Sequence, residues 1–314
     1  MKHKSFFQFP LSLFALVFVL GSCGEAPKQL SMQEHYGYSF AENDNSILYE
    51  ISGNGLKTPS YLYGTIHIQR KEVFDFDTLV MQLYDTCQAY AMEVAMDEVN
   101  PMKAAKMMAL EKPLDSLISP EKFAKLDSIY EAETGSRLGM MKMTKPFFLI
   151  AQLMAEDIGG DMDMALDFYL FSKAKEAKKK TIGIEKFEEQ MAAVDQLTVE
   201  EQVDIIIKSV EDSTSSMAKF DELLKMYLDG NLMELMKMME DPAYPEKFNK
   251  AFLHDRNIRM ADRIAEICKE QMTFNAIGAA HLAGPDGVVA LLRKKGFEVK
   301  PIKIQFGNKT VKSK

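Results

Sequence analysis

Two histidines stand three residues after a glycine, each at the end of an apolar, strand-like run. They are His67, which follows Gly64, and His281, which follows Gly278. Glycine lets the backbone approach another group closely, and a side chain at the carboxyl end of a strand faces the crevice in which open α/β sheets bind ligands. Taken alone, either histidine is more often a structural residue. The repeated context indicates one shared site that only the tertiary structure can assemble.

Glu93 is the charged residue in an otherwise apolar run at residues 91–95. A carboxylate buried without a partner is costly, so we expect Glu93 to be exposed at a strand end or bound to a cation or strong donors. Two imidazoles and a carboxylate are a typical ligand set for a divalent metal with open positions for water. Without metal, Glu93 and a histidine could act as the general base for water. A third reading, in which Glu93 only ends the strand, also remains open.

The elements that must position these residues are a sheet from both ends of the chain and helices between. Strand-like runs occur at residues 47–51, 61–67, 89–94, 181–184, 273–277 and 297–304. The first two predict a hairpin, and the last two, with a helix at 287–295 between them, predict a βαβ-type crossover. We therefore predict an α+β fold with a mixed central sheet built from the N- and C-terminal parts of the chain, and a large helical insertion at about 101–270.

The first 22 residues predict a secretory signal peptide. A basic start precedes an apolar run of about 15 residues, shorter than the roughly 20 that span a bilayer. The following Cys23 resembles the lipidated cysteine of a bacterial lipobox. We expect a lipoprotein anchored through Cys23 to a bacterial cell-envelope membrane, with a tether at residues 23–44 and a domain at 45–314. An anchor that is never cleaved is the alternative.

Composition limits the classes of function. The chain has 314 residues, 47% of them hydrophobic, and a formal net charge of −8, which is typical of a globular protein and argues against general nucleic-acid binding. Cys87 and Cys268 are too few for a disulfide framework, so we expect buried free thiols, with pairing left open. The 23 methionines favour adaptable packing or a peptide-binding cleft over a copper site.

These segments together resemble the TraB/GumN family (TraB/PrgY/GumN), which includes the Tiki metalloproteases. The resemblance is carried by residues 61–67, Glu93, 183–185, 254–257, 278–287 and 291–299. It implies a metal-dependent hydrolase fold, more distantly related to erythromycin esterases and haem-binding ChaN proteins. Nothing in the chain resembles the His-Glu-x-x-His helix of ordinary zinc peptidases.

The resemblance also assigns roles to residues. It makes His67, His281 and Glu93 the catalytic and metal-binding residues. The resemblance carries over to these three residues only, and the remaining expectations come from residue chemistry and position. The planar guanidinium of Arg256 would bind an anionic intermediate or a substrate carboxylate, or else form a salt bridge on a helix surface. Asn257 would support a metal ligand, and Glu185 would face the same crevice.

The leading hypothesis is a cell-envelope lipoprotein with a metal-dependent hydrolase site for peptides or proteins. A protein that binds haem, metal or another envelope ligand in the same crevice without turnover is the first alternative. The second is an interaction module in which the two histidines only brace the sheet.

Overall fold

The computed structural model describes residues 45–149, 153, 160–211, 216–239 and 244–307. The predicted signal peptide, the predicted lipidation site at Cys23 and the predicted tether lie outside the described residues. The described strands are β1 (Leu48–Gly53), β2 (Ser60–Thr65), β3 (Ala89–Met92), β4 (Lys180–Gly183), β5 (Thr273–Gly278) and β6 (Phe297–Pro301). Together these strands form one six-stranded sheet in the order β4-β3-β5-β2-β1-β6.

The sheet is mixed, and its central strands run parallel. β5 pairs in parallel with β2 on one side and with β3 on the other, and β3 pairs in parallel with β4. β1 is antiparallel to both β2 and β6. The β1–β2 hairpin turns through Gly53, Asn54 and Gly55, which all have positive φ, a conformation that glycine and asparagine tolerate best. The carboxyl ends of β2, β3, β4 and β5 therefore meet at one edge of the sheet.

Helices of the middle segment and the C-terminal part pack around this sheet. The described α-helices are α1 (Thr78–Thr86), α2 (Pro101–Met108), α3 (Pro120–Thr134), α4 (Leu166–Glu176), α5 (Phe187–Val194), α6 (Val199–Glu211), α7 (Ser216–Leu228), α8 (Leu232–Met239), α9 (Glu246–Asn249), α10 (Asp255–Glu270) and α11 (Val288–Lys294). A π-helical turn at Lys250–His254 joins α9 to α10, and a 3₁₀ turn at Ala279–His281 follows β5. None of the helices in the described ranges has the length and hydrophobicity needed to cross a membrane.

Helix starts follow the local sequence. Asn100 and Ser119 accept hydrogen bonds from amides in the first turns of α2 and α3, and a proline occupies the first position of each helix. Proline suits that position because its missing N–H would have no partner there. These two helix starts are thus determined locally.

The predicted α+β fold with a mixed sheet is confirmed. β4 corresponds to the strand-like run at residues 181–184, within the segment 101–270, and it pairs with β3. One detail adds to the predicted crossover. β6 is not a neighbour of β5; it pairs with β1 at the far edge, so the β5–α11–β6 crossover passes two intervening strands.

The core explains why the central strands are apolar. Every residue of β2, β3 and β5 is buried, as expected for strands covered on both faces. α4 packs on β3 and β4, while α10 packs on β5 and α11. Cys87 and Cys268 lie in this core as buried free thiols. The sheet is therefore a rigid base for side chains at its edge.

Candidate active site

Four of the six site residues predicted from the sequence come from the carboxyl ends of the parallel strands. His67 lies two residues beyond β2, Glu93 directly follows β3, Glu185 lies two residues beyond β4, and His281 ends the 3₁₀ turn after β5. Because these strands are parallel neighbours, their ends bring residues that are distant in sequence to the same edge.

Close packing accounts for the glycine of both Gly-x-x-His segments. A Cβ atom at Gly64 would lie 2.7 Å from Cδ1 of Leu282. At Gly278 it would lie 3.1 Å from Oε1 of Glu93 and 3.5 Å from Cδ2 of His281. A Cβ atom at Gly278 would therefore crowd Oε1 of Glu93, while it would lie at an ordinary contact distance from His281.

His281 is held in one orientation by a relay of hydrogen bonds. Nδ2 of Asn257 donates to the backbone oxygen of Asp286 at 2.9 Å, which fixes the orientation of the amide. Oδ1 of Asn257 then lies 2.6 Å from Nδ1 of His281. An amide oxygen only accepts, so Nδ1 carries the proton and Nε2 has a free lone pair. Burial, and next the charge of Arg256, lowers the pKa of His281 to about 3, which keeps the imidazole neutral.

Glu93 is a buried, ionised carboxylate with several donors. Its Oε1 accepts from the amide of Gly278 at 2.7 Å, and its Oε2 accepts from Arg256 at 2.6 Å and Gln190 at 3.1 Å. Burial raises the pKa of Glu93, but Arg256, the two histidines and the Gly278 amide lower it to about 2. Nε2 of His281 lies 3.9 Å from Oε1.

Arg256 is 1% exposed and lies between two carboxylates. Its Nε and Nη2 donate to Oε2 of Glu185 at 2.9 and 2.7 Å, and Nη2 also donates to Glu93. The guanidinium carbon lies 5.2 Å from the centre of the Phe252 ring. Arg256 is therefore part of a buried network and not of a helix surface, and its hydrogen bonds to Glu93 and Glu185 fix both carboxylates.

His67 lies beside the carboxylate of Asp167, which belongs to α4. Its Nδ1 is 2.9 Å from Oδ1 of Asp167, although the ring is not in line for a linear hydrogen bond. Burial lowers the pKa of His67, but the charge of Asp167, and to a smaller extent that of Glu93, raises it above the ordinary value overall. The two histidines therefore differ in electrostatic environment.

A cavity of about 20 Å³ adjoins these groups. A single water molecule needs about 10–15 Å³, so the space suffices for a water or a small cation. Its polar lining includes His67, Glu93, Asp167 and Gln190, and its apolar lining includes Met92, Met96 and Phe168. His281 adjoins this space through Glu93.

The donor set is suited to a divalent metal in type and protonation. His281 is neutral with Nε2 unprotonated, and Glu93 is ionised. Metal bonds to nitrogen and oxygen are about 2.0–2.2 Å long, so two ligand atoms of one ion lie at most about 4.4 Å apart. The 3.9 Å between Nε2 of His281 and Oε1 of Glu93 is within this limit. Nowhere in the described ranges, however, are three or more His, Cys, Asp or Glu residues already grouped as a metal site.

A profile of the TraB/PrgY/gumN family matches residues 47–301, most of the chain. The chain belongs to the TraB/PrgY/gumN family. Its similarity extends to proteins named metalloproteases. It is 23% identical to Metalloprotease TIKI1 of Danio rerio over 314 residues, which cover 81% of this chain and 63% of the relative. It is 22% identical to Metalloprotease TIKI1 of Homo sapiens over 319 residues, which cover 81% of this chain and 61% of the relative.

A bacterial relative matches over more of its own length. The chain is 24% identical to the Uncharacterized protein YbaP of Shigella flexneri over 242 residues, which cover 74% of this chain and 88% of the relative. By contrast, the chain spans about three fifths of the length of the Tiki relatives. No solved structure is significantly similar to the chain. The resemblance that we drew from the motifs is thus confirmed at the level of the family.

Two residues of this candidate site were not selected from the sequence. Asp167 and Gln190 both lie in segments that we read only as helical. Each occupies the buried stripe of its helix, Asp167 with Leu166, Leu170 and Ala174, and Gln190 with Phe187, Met191 and Val194. A polar residue in an apolar stripe was the available signal, because burying it requires a partner.

Proposed function

We propose that this protein is a cell-envelope lipoprotein that hydrolyses peptides or proteins, with a divalent metal held by His67, His281 and Glu93. The observation that carries the proposal is the pairing of neutral His281 with ionised Glu93, with Nε2 and Oε1 3.9 Å apart. Glu93 in turn lines the same cavity as His67. Metalloprotease is the name of relatives at 22–23% identity, which supports the class of reaction without defining a substrate for this chain.

The residues of the site hold the donors ready before any ligand binds. Asn257 directs Nε2 of His281 towards Glu93. Arg256 and Gln190 bind Oε2 of Glu93 and so fix the carboxylate plane. A bound divalent ion would polarise a substrate carbonyl and lower the pKa of a water molecule.

The pKa of Glu93 bears on its role. At about 2 it makes Glu93 a weak base at neutral pH, because general bases work best with a pKa near the working pH. Glu93 is therefore better suited to bind a cation than to accept a proton. His67, whose pKa is raised by Asp167, is the better proton acceptor among the cavity residues when no metal is bound.

The test begins with metal and not with substrate. The purified full chain is stripped, reloaded with single divalent metals and measured by elemental analysis. A His67→Ala/His281→Ala variant is compared with a His254→Ala control, since His254 contacts Asp286 and lies outside the carboxylate network. We expect about one metal per chain in the wild type and the control, and loss in the double variant. Equal, negligible metal in all three would refute the metal site.

Peptide cleavage tests the reaction separately. The loaded wild type is incubated with a peptide library and the products are identified by mass spectrometry. Cleavage that is absent from the double variant and from stripped protein would support the hydrolase. Metal or ligand binding by the wild type with no product under any metal would instead favour the non-catalytic binding protein.

The envelope location is a second part of the proposal, supported by the signal-like segment and Cys23. Wild type and Cys23→Ser are expressed with a radiolabelled fatty acid and fractionated. We expect label and membrane association only in the wild type. Unlabelled, released wild-type protein would exclude the lipid anchor while leaving the hydrolase proposal intact.

A further inference from the structure

Asp167 is a buried carboxylate that neither the sequence motifs nor the comparisons assign to the site. It lies in the first turn of α4 and is 4% exposed. Leu166, Leu170 and Ala174 bury the same side of that helix. The hydroxyl of Tyr90 on β3 contacts the backbone oxygen of Asp167 at 3.3 Å. The contact with β3 therefore helps to hold the backbone of Asp167 against the sheet.

The contact between Asp167 and His67 determines which ring nitrogen can bind a ligand. Oδ1 of Asp167 lies 2.9 Å from Nδ1 of His67. If Nδ1 were unprotonated, the ring nitrogen and a carboxylate oxygen would lie 2.9 Å apart with no proton between them, which is repulsive even though the ring is not in line for a linear hydrogen bond. The proton therefore belongs on Nδ1, and Nε2 becomes the nitrogen with a free lone pair.

We propose that Asp167 is a positioning residue that fixes the Nδ1–H tautomer and the ring orientation of His67, so that Nε2 can bind a divalent metal. This proposal rests on the proposed function for the identity of the ligand. Metal-binding histidines commonly have a carboxylate or carbonyl oxygen at the other ring nitrogen, and loss of that group typically lowers metal affinity 10- to 100-fold.

A purely structural role does not account for the buried pair of His67 and Asp167. Its two side chains are 7% and 6% exposed, so both groups are largely desolvated. Apolar side chains of similar volume are often at least as stable as a buried ion pair. Both residues also line the cavity beside Glu93, where a polar pair can take part in binding a cation.

The groups that contact Nδ1 of the two histidines differ in charge. His281 is held by the neutral amide oxygen of Asn257, whereas His67 faces a carboxylate. A carboxylate makes the imidazole a stronger donor to a cation than an amide does. Asp167→Asn keeps an oxygen acceptor and should have an intermediate effect, and Asp167→Leu should have the full effect.

The experiment uses the full chain with Zn²⁺ and Co²⁺ as probes. Metal affinity is measured by competition with a chelator for wild type, Asp167→Asn, Asp167→Leu and the control Asp97→Asn. Asp97 binds Lys175 of α4, the helix that carries Asp167, and Thr181 of β4, and it is not among the residues that line the cavity. Independently, ¹⁵N resonances of the imidazoles are recorded without metal at alkaline pH, with the His67 signals assigned by their loss in His67→Ala.

We expect Asp167→Leu to bind Zn²⁺ 10- to 100-fold more weakly, Asp167→Asn to lie between it and the wild type, and the control to match the wild type. The visible spectrum of bound Co²⁺ should change in both Asp167 variants. His67 of the metal-free wild type should show the Nδ1–H tautomer. Unchanged Zn²⁺ affinity in Asp167→Leu, or an Nε2–H tautomer in the wild type, overturns the proposal.

The two proposals can fail separately. If the wild type binds neither probe, the metal-dependent function fails, and the His67 tautomer alone decides whether Asp167 orients the ring. If the Asp167 variants do not fold, the wild-type tautomer again supplies the decisive result. An Nδ1–H tautomer supports the positioning role in either case, and an Nε2–H tautomer refutes it.

Discussion

Replacing Arg256 by methionine should be strongly destabilising, because it removes the cation between two buried carboxylates. Three hydrogen bonds of 2.6–2.9 Å link the guanidinium to Glu93 and Glu185. Methionine fills much of the same volume, so the change tests charge more than packing. The variant leaves Gln190 as the remaining side-chain amide near both carboxylates.

The size of the effect follows from the geometry. Oε2 of Glu93 and Oε2 of Glu185 contact the same nitrogen at 2.6 and 2.7 Å, so they are at most about 5.3 Å apart. At an effective dielectric constant of about 20, two unit charges at that separation repel by about 3 kcal/mol. Removing one partner from a buried ion pair typically costs about 3–5 kcal/mol. We therefore expect a loss of about 3–5 kcal/mol in the free energy of unfolding at pH 7.

The loss should depend on pH in a defined direction. In the wild type the pKa of Glu93 is lowered to about 2, so its stabilising contribution is present above the ordinary pKa of 4.5 and is lost as the pH falls towards 2. In Arg256→Met, burial no longer has this guanidinium to oppose it and raises the pKa of Glu93. The variant then regains stability when Glu93 is protonated. The difference between the two proteins should narrow as the pH falls from 7 towards 4.5.

Urea unfolding followed by circular dichroism at several pH values measures both quantities. Arg263→Met is the matched control on the same helix, since Arg263 binds Glu189 at 2.6 and 2.7 Å but is 36% exposed. Exposed pairs contribute up to about 1 kcal/mol. Similar losses in both variants, or a loss in Arg256→Met that does not change with pH, would refute the reasoning.

Three further outcomes are expected. Asn257→Leu removes the acceptor that fixes its histidine partner and should weaken Zn²⁺ binding about 10- to 100-fold with the fold retained; unchanged affinity in a chelator competition would count against the relay. Gly278→Ala places a Cβ atom 3.1 Å from Oε1 of Glu93 and should reduce metal affinity while costing about 1–3 kcal/mol in urea unfolding; a variant that binds metal normally would contradict this geometry. Burial raises the pKa of Cys87 to about 12 and that of Cys268 above its ordinary value, so native protein at neutral pH should react with iodoacetamide far more slowly than urea-unfolded protein; equal rates, followed by mass spectrometry, would show that the thiols are not buried.

The local sequence was sufficient to predict the strands, the hairpin and the polar residues at the strand ends. Apolar runs predicted the strands, and the hairpin was predicted from the glycine and asparagine between the first two runs. His67, Glu93 and His281 could be selected because each stands where an apolar run ends, and a polar group at that place needs a physical reason. The ends of the strands were predicted less accurately than their positions. β2 ends at Thr65 and β3 at Met92, so His67 and Glu93 lie just beyond the hydrogen-bonded strands.

The partners of those residues were decided by the tertiary structure. Asp167 faces His67 because α4 packs on β3 and β4, and Gln190 reaches Glu93 from α5. No local pattern specifies such pairs, since periodicity shows which side of a helix is buried but not which strand end it will meet. The sequence by itself therefore determined the family, the fold class and the strand-end residues. Only the packing of the helical middle on the sheet decided which charges are neutralised, which tautomer each imidazole adopts and where the cavity lies.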